Sequence, residues 1–197
     1  MIKNRIKDKG RELFNEFGFR NITLRDIAIS INKSYGNITY HFPTKEHLLQ
    51  AIFSDMNDRL IALQSNLPKD INYLEYFLLL PYYSFDISVD YLFFFKDFVE
   101  IKRAYPKFYE IVEKTNNFRK EKWKDLFILL QQQSYLENTL SEQDLFYIME
   151  LSTGIRIFYF MENDLANLNK QIFVQKVNKL LYPYLTKKGK SIYQMNK

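Results

Sequence analysis

The sequence predicts an all-α fold of about nine helices, and three observations support that prediction. Gly and Pro are rare, with five of each among 197 residues, which argues against a turn-rich all-β protein. Apolar residues recur at helical spacing in the long segments, and no stretch alternates as a strand does. Capping boxes open two segments, at Thr23 with Asp26 and at Ser141 with Asp144.

The composition also limits the function. There is no Cys, which excludes disulfides, thiolate metal sites and Cys nucleophiles. The charged N-terminus leaves no core for a signal peptide, and the longest apolar stretch, near residues 76–85, contains Pro81 and is too short to span a bilayer. We therefore predict a soluble, cytoplasmic protein without a membrane segment, and we expect no cofactor, no metal and no catalytic residue.

Residues 24–43 have the pattern of a helix-turn-helix. Thr23 is the N-cap of the first helix, Asn32 occupies a turn that needs a left-handed backbone, and Ser34 is the N-cap of the second helix. Ile27, Ile31, Ile38 and Phe42 are spaced to face one core, which leaves polar or amphipathic side chains outward on the second helix: Tyr35, Asn37, Thr39, Tyr40 and His41. A short helix with such an outer face suits the DNA major groove.

The positive charge is concentrated beside this motif. Residues 1–50 contain nine Lys or Arg and five Asp or Glu, so four of the net five positive charges lie in the first quarter of the chain. A basic segment joined to a nearly neutral remainder is typical of a DNA-binding head, although a solvated charged face would give the same cluster.

The remaining segments are predicted to be helical. An amphipathic helix over 2–17 ends at Gly18, and a long helix over 44–66 links residues 1–46, the head, to residues 47–197, the body. Further helices are predicted over 71–85 with a kink at Pro81, and over 89–104, 107–135, 141–163 and about 169–185. The tail after Thr186 is predicted to be frayed.

At fixed spacing the head resembles the TetR-type transcriptional regulators. The match covers about residues 5–50 and rests on Gly18, Thr23, Ile27-Ala28, Ser34-x-Gly36-Asn37-Ile38, Tyr40-His41-Phe42 and Lys45-Glu46-x-Leu48. Two departures are visible: Asn32 and Lys33 stand where the family often has Gly and an apolar residue, and Thr39 stands where it usually has Tyr. The body resembles the family in architecture only.

The resemblance implies a dimer with two recognition helices in successive major grooves of a palindromic operator, about 34 Å apart. By position, candidate phosphate contacts are Thr23, Tyr40, His41 and Lys45, and candidate base contacts are Arg25, Ser34, Tyr35 and Asn37. Gly36 would allow close backbone approach, and Thr39 completes the DNA-facing set. Other readings stay open: Arg25 as a solvated charge, Tyr40 packed between helices, and His41 as a capping or packing group.

The family's body commonly holds a small-molecule pocket. Aromatic residues that could line one for an apolar or flat effector are Tyr82, Phe94, Phe98, Trp123, Phe127 and Tyr159, although aromatic stripes at helical spacing are usually core. No cluster of bases predicts an acidic effector, though Lys96, Lys102 and Arg103 could serve one. The helices near 141–163 and 169–185 are predicted to form the homodimer, because the first is apolar on more faces than one subunit can cover.

Three functions are compatible with these observations. The first is a DNA-binding regulator, with repression expected, that releases its operator when an effector binds the body. The second is a DNA-binding dimer controlled by a protein partner. The third is a helical enzyme, which the sequence disfavours because its only histidines, His41 and His47, lie in the head and no metal-ligand spacing or phosphate loop is present.

Overall fold

The computed structural model describes residues 2–65 and 72–195, and within them the fold is all-α, as predicted. The helices are α1 Ile2–Phe17, α2 Leu24–Ser30, α3 Tyr35–His41, α4 Lys45–Ser65, α5 Tyr73–Asp90, α6 Phe93–Lys96, α7 Phe98–Ala104, α8 Pro106–Gln132, α9 Glu142–Glu162, α10 Lys170–Lys179 and α11 Lys187–Met195. None of the helices in these two ranges is long and apolar enough to cross a membrane.

Eleven helices in the described ranges replace the predicted nine, for two reasons. The predicted helix over 89–104 is interrupted: α5 continues to Asp90, and the chain turns at Asp97 between α6 and α7. The tail after Thr186 is wrongly predicted as frayed, since it forms α11, which buries Tyr193. The predicted end of the long linking helix, near residues 66–70, lies outside the described residues.

Packing divides the chain into two units: residues 1–62 with 87–112, and residues 63–86 with 113–197. The divisions fall within α4, α5 and α8. The boundary predicted at residue 46 stays a prediction.

In the first unit, α6 packs on α1 through aromatic rings. The ring centroid of Phe14 lies 4.9 Å from that of Phe19 and 5.2 Å from that of Phe93. The Asn15 side chain donates to the Asp90 carbonyl at 2.8 Å and accepts from the Phe93 N–H at 3.0 Å. The Asn15 side chain thus hydrogen-bonds one backbone carbonyl at the end of α5 and one backbone N–H at the start of α6.

In the second unit, the C-terminal segment completes the core. Thr186 N–H donates to the Tyr135 carbonyl at 3.1 Å, and an isolated antiparallel bridge pairs Leu136 with Leu185. Leu185 is fully buried. A Cβ added to Gly189 of α11 would lie 2.3 Å from the Tyr135 carbonyl oxygen, so only Gly fits this contact.

Candidate DNA interface

Hydrogen bonds fix where α2 begins. The Thr23 N–H donates to the Asp26 carboxylate at 2.7 Å, and the Asp26 N–H donates back to the Thr23 hydroxyl at 3.3 Å. Hydrogen bonds from the Thr23 side chain and backbone hold the pKa of Asp26 below its ordinary value. The capping box predicted from the sequence is therefore confirmed.

The turn between α2 and α3 uses the left-handed backbone predicted at Asn32, whose φ is 53°. The Lys33 N–H reaches back to the Ala28 carbonyl at 2.9 Å. Ser34 then caps α3 by accepting the Asn37 N–H at 3.2 Å. Asn32 thus adopts the left-handed backbone conformation that Gly adopts in many such turns.

The inner side of the motif is closed by apolar residues that are at most 3% exposed: Ile27, Ala28, Ile31, Ile38 and Phe42. Gly10 of α1 lies against them, and a Cβ added there would stand 3.3 Å from the Ile27 side chain. This packing holds α3 with one side buried and leaves its other side open.

The open side carries most of the residues predicted to contact DNA. Tyr40 is 83% and Tyr35 45% exposed, and the Arg25 guanidinium carbon lies 5.2 Å from the centre of the Tyr35 ring. The exposed members of the predicted set are Thr23, Arg25, Ser34, Tyr35, Gly36, Asn37 and Tyr40. They lie on α2, its N-cap, α3 and its N-cap, and so belong to one helix-turn-helix.

The two half-buried residues of α3 in the set are engaged locally. The Thr39 hydroxyl donates to the Tyr35 carbonyl at 3.2 Å and lies 3.3 Å from the Gly36 carbonyl. The His41 ring meets the Tyr40 ring edge to face at 5.1 Å, and both Thr39 and His41 are half-buried. Tyr40 itself is not packed between helices.

Lys45, predicted as a phosphate contact, points inward. Its amine donates to the Phe19 carbonyl and lies 4.0 Å from the centre of the Phe19 ring. Burial lowers the pKa of Lys45 to about 8, although the charges of Asp97 and Asp26 partly oppose that shift. The prediction rested on the position of Lys45 in the family pattern. In the structure the amine turns toward the Phe19 carbonyl and the face of the Phe19 ring instead.

The same peptide is held from its other side by Asp97. The Phe19 N–H donates to the Asp97 carboxylate at 2.6 Å. Burial raises the pKa of Asp97, and the Phe19 hydrogen bond and the Lys45 charge oppose the rise. Both Lys45 and Asp97 shift toward the neutral form, so burial outweighs their mutual attraction. Nothing in the local sequence around Asp97 indicates a partner 78 residues away.

The six predicted effector residues are divided between the two units. Phe94 and Phe98 lie in the first unit, where Phe94 contacts the Phe53 ring at 5.6 Å and Phe98 contacts the Tyr109 ring at 5.9 Å. Aromatic packing accounts for both positions.

The other four lie in the second unit. Trp123 and Phe127 flank the Phe77 ring at 5.3 and 5.7 Å, and Phe127 is 1% exposed. The Tyr159 hydroxyl donates to the Asn169 carbonyl at 2.8 Å, and the Tyr82 ring is 44% exposed. The structure brings Trp123 and Phe127 together as core; that the six line a pocket stays a prediction.

A family model described as "Bacterial regulatory proteins, tetR family" matches residues 6–52. Over 74 residues the chain is 32% identical to the HTH-type transcriptional regulator UidR of Escherichia coli (strain K12), and the match covers 38% of this chain and 38% of that protein. The chain thus spans well under half the length of the curated relatives it matches.

Solved structures resemble the whole fold. A TetR-family transcriptional regulator from Marinobacter aquaeolei VT8 superposes with a TM-score of 0.81 at 22% identity, over 99% of this chain and 97% of that chain. A putative transcriptional regulator from Saccharomonospora viridis, solved in complex with choline, gives a TM-score of 0.76 at 16% identity, over 94% and 98% of the two chains. These likenesses establish the fold, and the resemblance of the head predicted from its motifs is confirmed.

Proposed function

We propose that this protein is a ligand-responsive, DNA-binding transcriptional repressor of the TetR family, whose family model matches residues 6–52. The observation that carries the proposal is the pair α2 and α3, with one side sealed by apolar residues and the other presenting polar side chains from a basic head. A regulator of this kind works in the cytoplasm, where its DNA is.

In this proposal α3 enters the major groove. Arg25, Tyr35 and Asn37 read base edges, because guanidinium and amide groups match guanine and adenine there. The Ser34 hydroxyl accepts the Asn37 N–H and keeps its own proton to donate to a base. Tyr40 and His41 contact phosphates, and Thr23 does so when its hydroxyl leaves the Asp26 carboxylate. Thr39 stiffens α3, and Gly36 lets the backbone approach, since a Cβ added there would meet nothing within 4 Å beyond its chain neighbours and the backbone of its own helix.

Lys45 can contact DNA only if its amine turns outward. Its amine reaches a phosphate only after leaving the Phe19 carbonyl, so its contribution to DNA binding is smaller than its position in the family pattern suggests. Thr23 has the same limitation, because its N–H and its hydroxyl both donate to the Asp26 carboxylate. The direct phosphate contact is therefore assigned mainly to the exposed Tyr40.

The dimer is proposed to form through α9 and α10. A shallow apolar depression of about 400 Å³ lies on these helices and is lined in part by Leu151, Ile155 and Phe158. Phe158 is 59% and Ile172 46% exposed, so this face presents large apolar side chains that a second copy could cover. Two copies joined there would hold their heads for a palindromic operator with half-sites about 34 Å apart.

Effector binding in the body is proposed to release the operator. The support is the fold shared with solved regulators, among them the putative transcriptional regulator that was solved with choline. A protein partner is the alternative controller, and the large exposed side chains of the second unit are compatible with it.

One experiment tests the central proposal. The purified protein is titrated with the DNA upstream of its own gene, and with scrambled DNA of equal length, across a salt series. We expect one palindrome to be preferred by at least about 10³-fold, with affinity that falls steeply as salt rises. Equal affinity for both DNAs at every salt concentration would refute the proposal.

A further inference from the structure

Arg25 of α2 and Tyr35 of α3 form a stacked pair across the helix-turn-helix. The guanidinium carbon of Arg25 lies 5.2 Å from the centre of the Tyr35 ring, which is within the range of a cation–π contact. Both side chains are exposed to solvent. The contact therefore joins the first turn of α2 to the first turn of α3 on the open side of the motif.

The Arg25 guanidinium has no carboxylate partner. Within the part of the chain that the structure describes, Arg25 forms no ion pair, whereas the Arg11 guanidinium lies 3.8 Å from the Asp90 carboxylate. The carboxylate next to it in sequence, Asp26, is occupied by the N–H and the hydroxyl of Thr23. A guanidinium carries five N–H donors in one plane, and stacking on a ring leaves them free to point outward.

The Tyr35 ring is a fixed platform because the turn before it is held by its backbone. Asn32 has a left-handed φ of 53°, and the Lys33 N–H donates to the Ala28 carbonyl at 2.9 Å. A tyrosine side chain has few torsions, whereas an arginine has many and loses their freedom when it binds. Stacking on Tyr35 therefore reduces the number of orientations that the Arg25 guanidinium adopts before DNA arrives.

A restrained guanidinium with free donors matches one base in particular. Guanine presents two acceptors, O6 and N7, side by side in the major groove, and no other base presents two acceptors there. Two parallel N–H groups of an arginine bind that pair of atoms. We propose that the Arg25–Tyr35 pair recognises a guanine in each operator half-site, where Arg25 contacts the base and Tyr35 is a positioning residue that acts through its ring.

This proposal rests on the function proposed above and refines the part given there to Tyr35. If the ring acts through Arg25, the Tyr35 hydroxyl is not needed for base recognition. Tyr35 then differs from Asn37, whose side-chain amide is assigned its own base contact. The two arginine and tyrosine positions should consequently affect the same base pair and not two different ones.

The test uses the DNA that the wild type prefers in the salt series, with each base pair of a half-site replaced in turn in both half-sites. We expect Arg25→Ala to reduce the preference at one G·C pair by roughly tenfold, because the bidentate contact is lost. Arg25→Lys should reduce the preference at the same pair. Its affinity for scrambled DNA should stay close to that of the wild type, because the positive charge remains.

Tyr35 is tested with two variants. Tyr35→Leu removes the ring and should reduce the preference at the same G·C pair by roughly threefold, whereas Tyr35→Phe keeps the ring and should match the wild type. In the double variant of Arg25→Ala with Tyr35→Leu, the preference at that pair should equal that of Arg25→Ala alone. Such non-additivity is expected only if Tyr35 acts through Arg25.

Two matched controls separate this effect from charge and from stability. Arg20→Ala removes another exposed positive charge of the head and should change affinity for all DNAs equally. Tyr73→Leu makes the same change at the first residue of α5, where Tyr73 is 43% exposed against 45% for Tyr35, and should leave base preference unchanged. Thermal unfolding of each variant confirms that it is folded.

Four results would overturn the proposal. Arg25→Ala could lower affinity equally for every DNA, which indicates a phosphate contact, or the affected pair could be other than G·C. Tyr35→Phe could behave like Tyr35→Leu, or the double variant could lose the preference additively, which makes Tyr35 a separate base contact. A preferred DNA whose base preferences all survive Arg25→Ala refutes only this proposal. The absence of any preferred DNA refutes the proposed function, and this proposal with it.

Discussion

The Asp97 carboxylate accepts a 2.6 Å hydrogen bond from the Phe19 backbone N–H, and Lys45 donates to the carbonyl of the same residue. The Phe19 peptide group is therefore held from both sides. These contacts connect the turn between α1 and α2 with the beginnings of α4 and α7, all within the first unit.

Asp97→Ala should lower the free energy of unfolding by about 1–3 kcal/mol, because it leaves the Phe19 N–H without its acceptor. Asp97→Asn keeps an oxygen acceptor and removes a partly buried charge, so it should cost less than Asp97→Ala at pH 7. Denaturant unfolding of the three proteins measures both effects. Equal losses for Ala and Asn would show that the charge, not the hydrogen bond, matters.

Stability should depend on pH through Lys45. Its pKa in the folded protein is about 8, below the ordinary value, so between about pH 8 and pH 10 the unfolded chain binds more protons than the folded one. The contribution of Lys45 to the free energy of unfolding must therefore rise with pH across this window. Comparison with Lys45→Met isolates that contribution, and a wild type and variant with parallel pH profiles would contradict it.

Asn37→Ala should lower affinity for the operator by about 1–3 kcal/mol and relax the preference at one base pair. Affinity for scrambled DNA and the salt slope should stay unchanged, because no phosphate contact is removed. Asn117→Ala is the control: it makes the same change on the exposed surface of α8, in the second unit. Competition binding with single-base variants of the operator gives the measurement, and a uniform loss on all DNAs would argue for a phosphate contact.

If the proposed dimer forms through α9 and α10, Phe158→Glu should convert it to monomers, because the substitution puts a charge into that apolar face. Sedimentation velocity at several protein concentrations reports the change. Phe118→Glu is a close match, since Phe118 of α8 is 64% exposed and Phe158 59%. If the Phe158→Glu variant remains a dimer and the Phe118→Glu variant is a monomer, the interface lies on α8 and not on α9 and α10.

Gly189→Ala should destabilise the protein by about 1–3 kcal/mol, because the new methyl group would collide with the Tyr135 carbonyl. The Gly36→Ala methyl group would meet nothing within 4 Å beyond its chain neighbours and its own helix backbone, and it lies in a helix, so stability should stay equal or rise slightly. Thermal and urea unfolding of both variants compare the two positions. Gly36→Ala should instead weaken DNA binding, since its methyl group occupies the surface next to the groove.

Sequence patterns predicted the head well because its determinants are local. The capping pair Thr23 and Asp26, the left-handed Asn32 and the cap at Ser34 all act within a few residues of one another. The buried and exposed sides of α2 and α3 follow from the same short spacing.

Features that depend on distant contacts were missed. At the break between α6 and α7, Asp97 accepts a hydrogen bond from the distant Phe19 N–H. Just before α11, Thr186 and Leu185 pair with Tyr135 and Leu136, some 50 residues earlier. The inward turn of Lys45 likewise depends on the Phe19 carbonyl and ring. Periodicity reports which residues are apolar, but not which distant backbone groups they meet.

The pairing of Leu136 with Leu185 has a consequence for biosynthesis. All residues of the first unit have been synthesised once the ribosome passes Val112, so that unit can complete its core early. The second unit lacks Leu185 and Tyr193, both core residues, until much later. During that interval Leu136 and its neighbours remain uncovered, and a chaperone that binds nascent apolar segments should associate with this half of the chain.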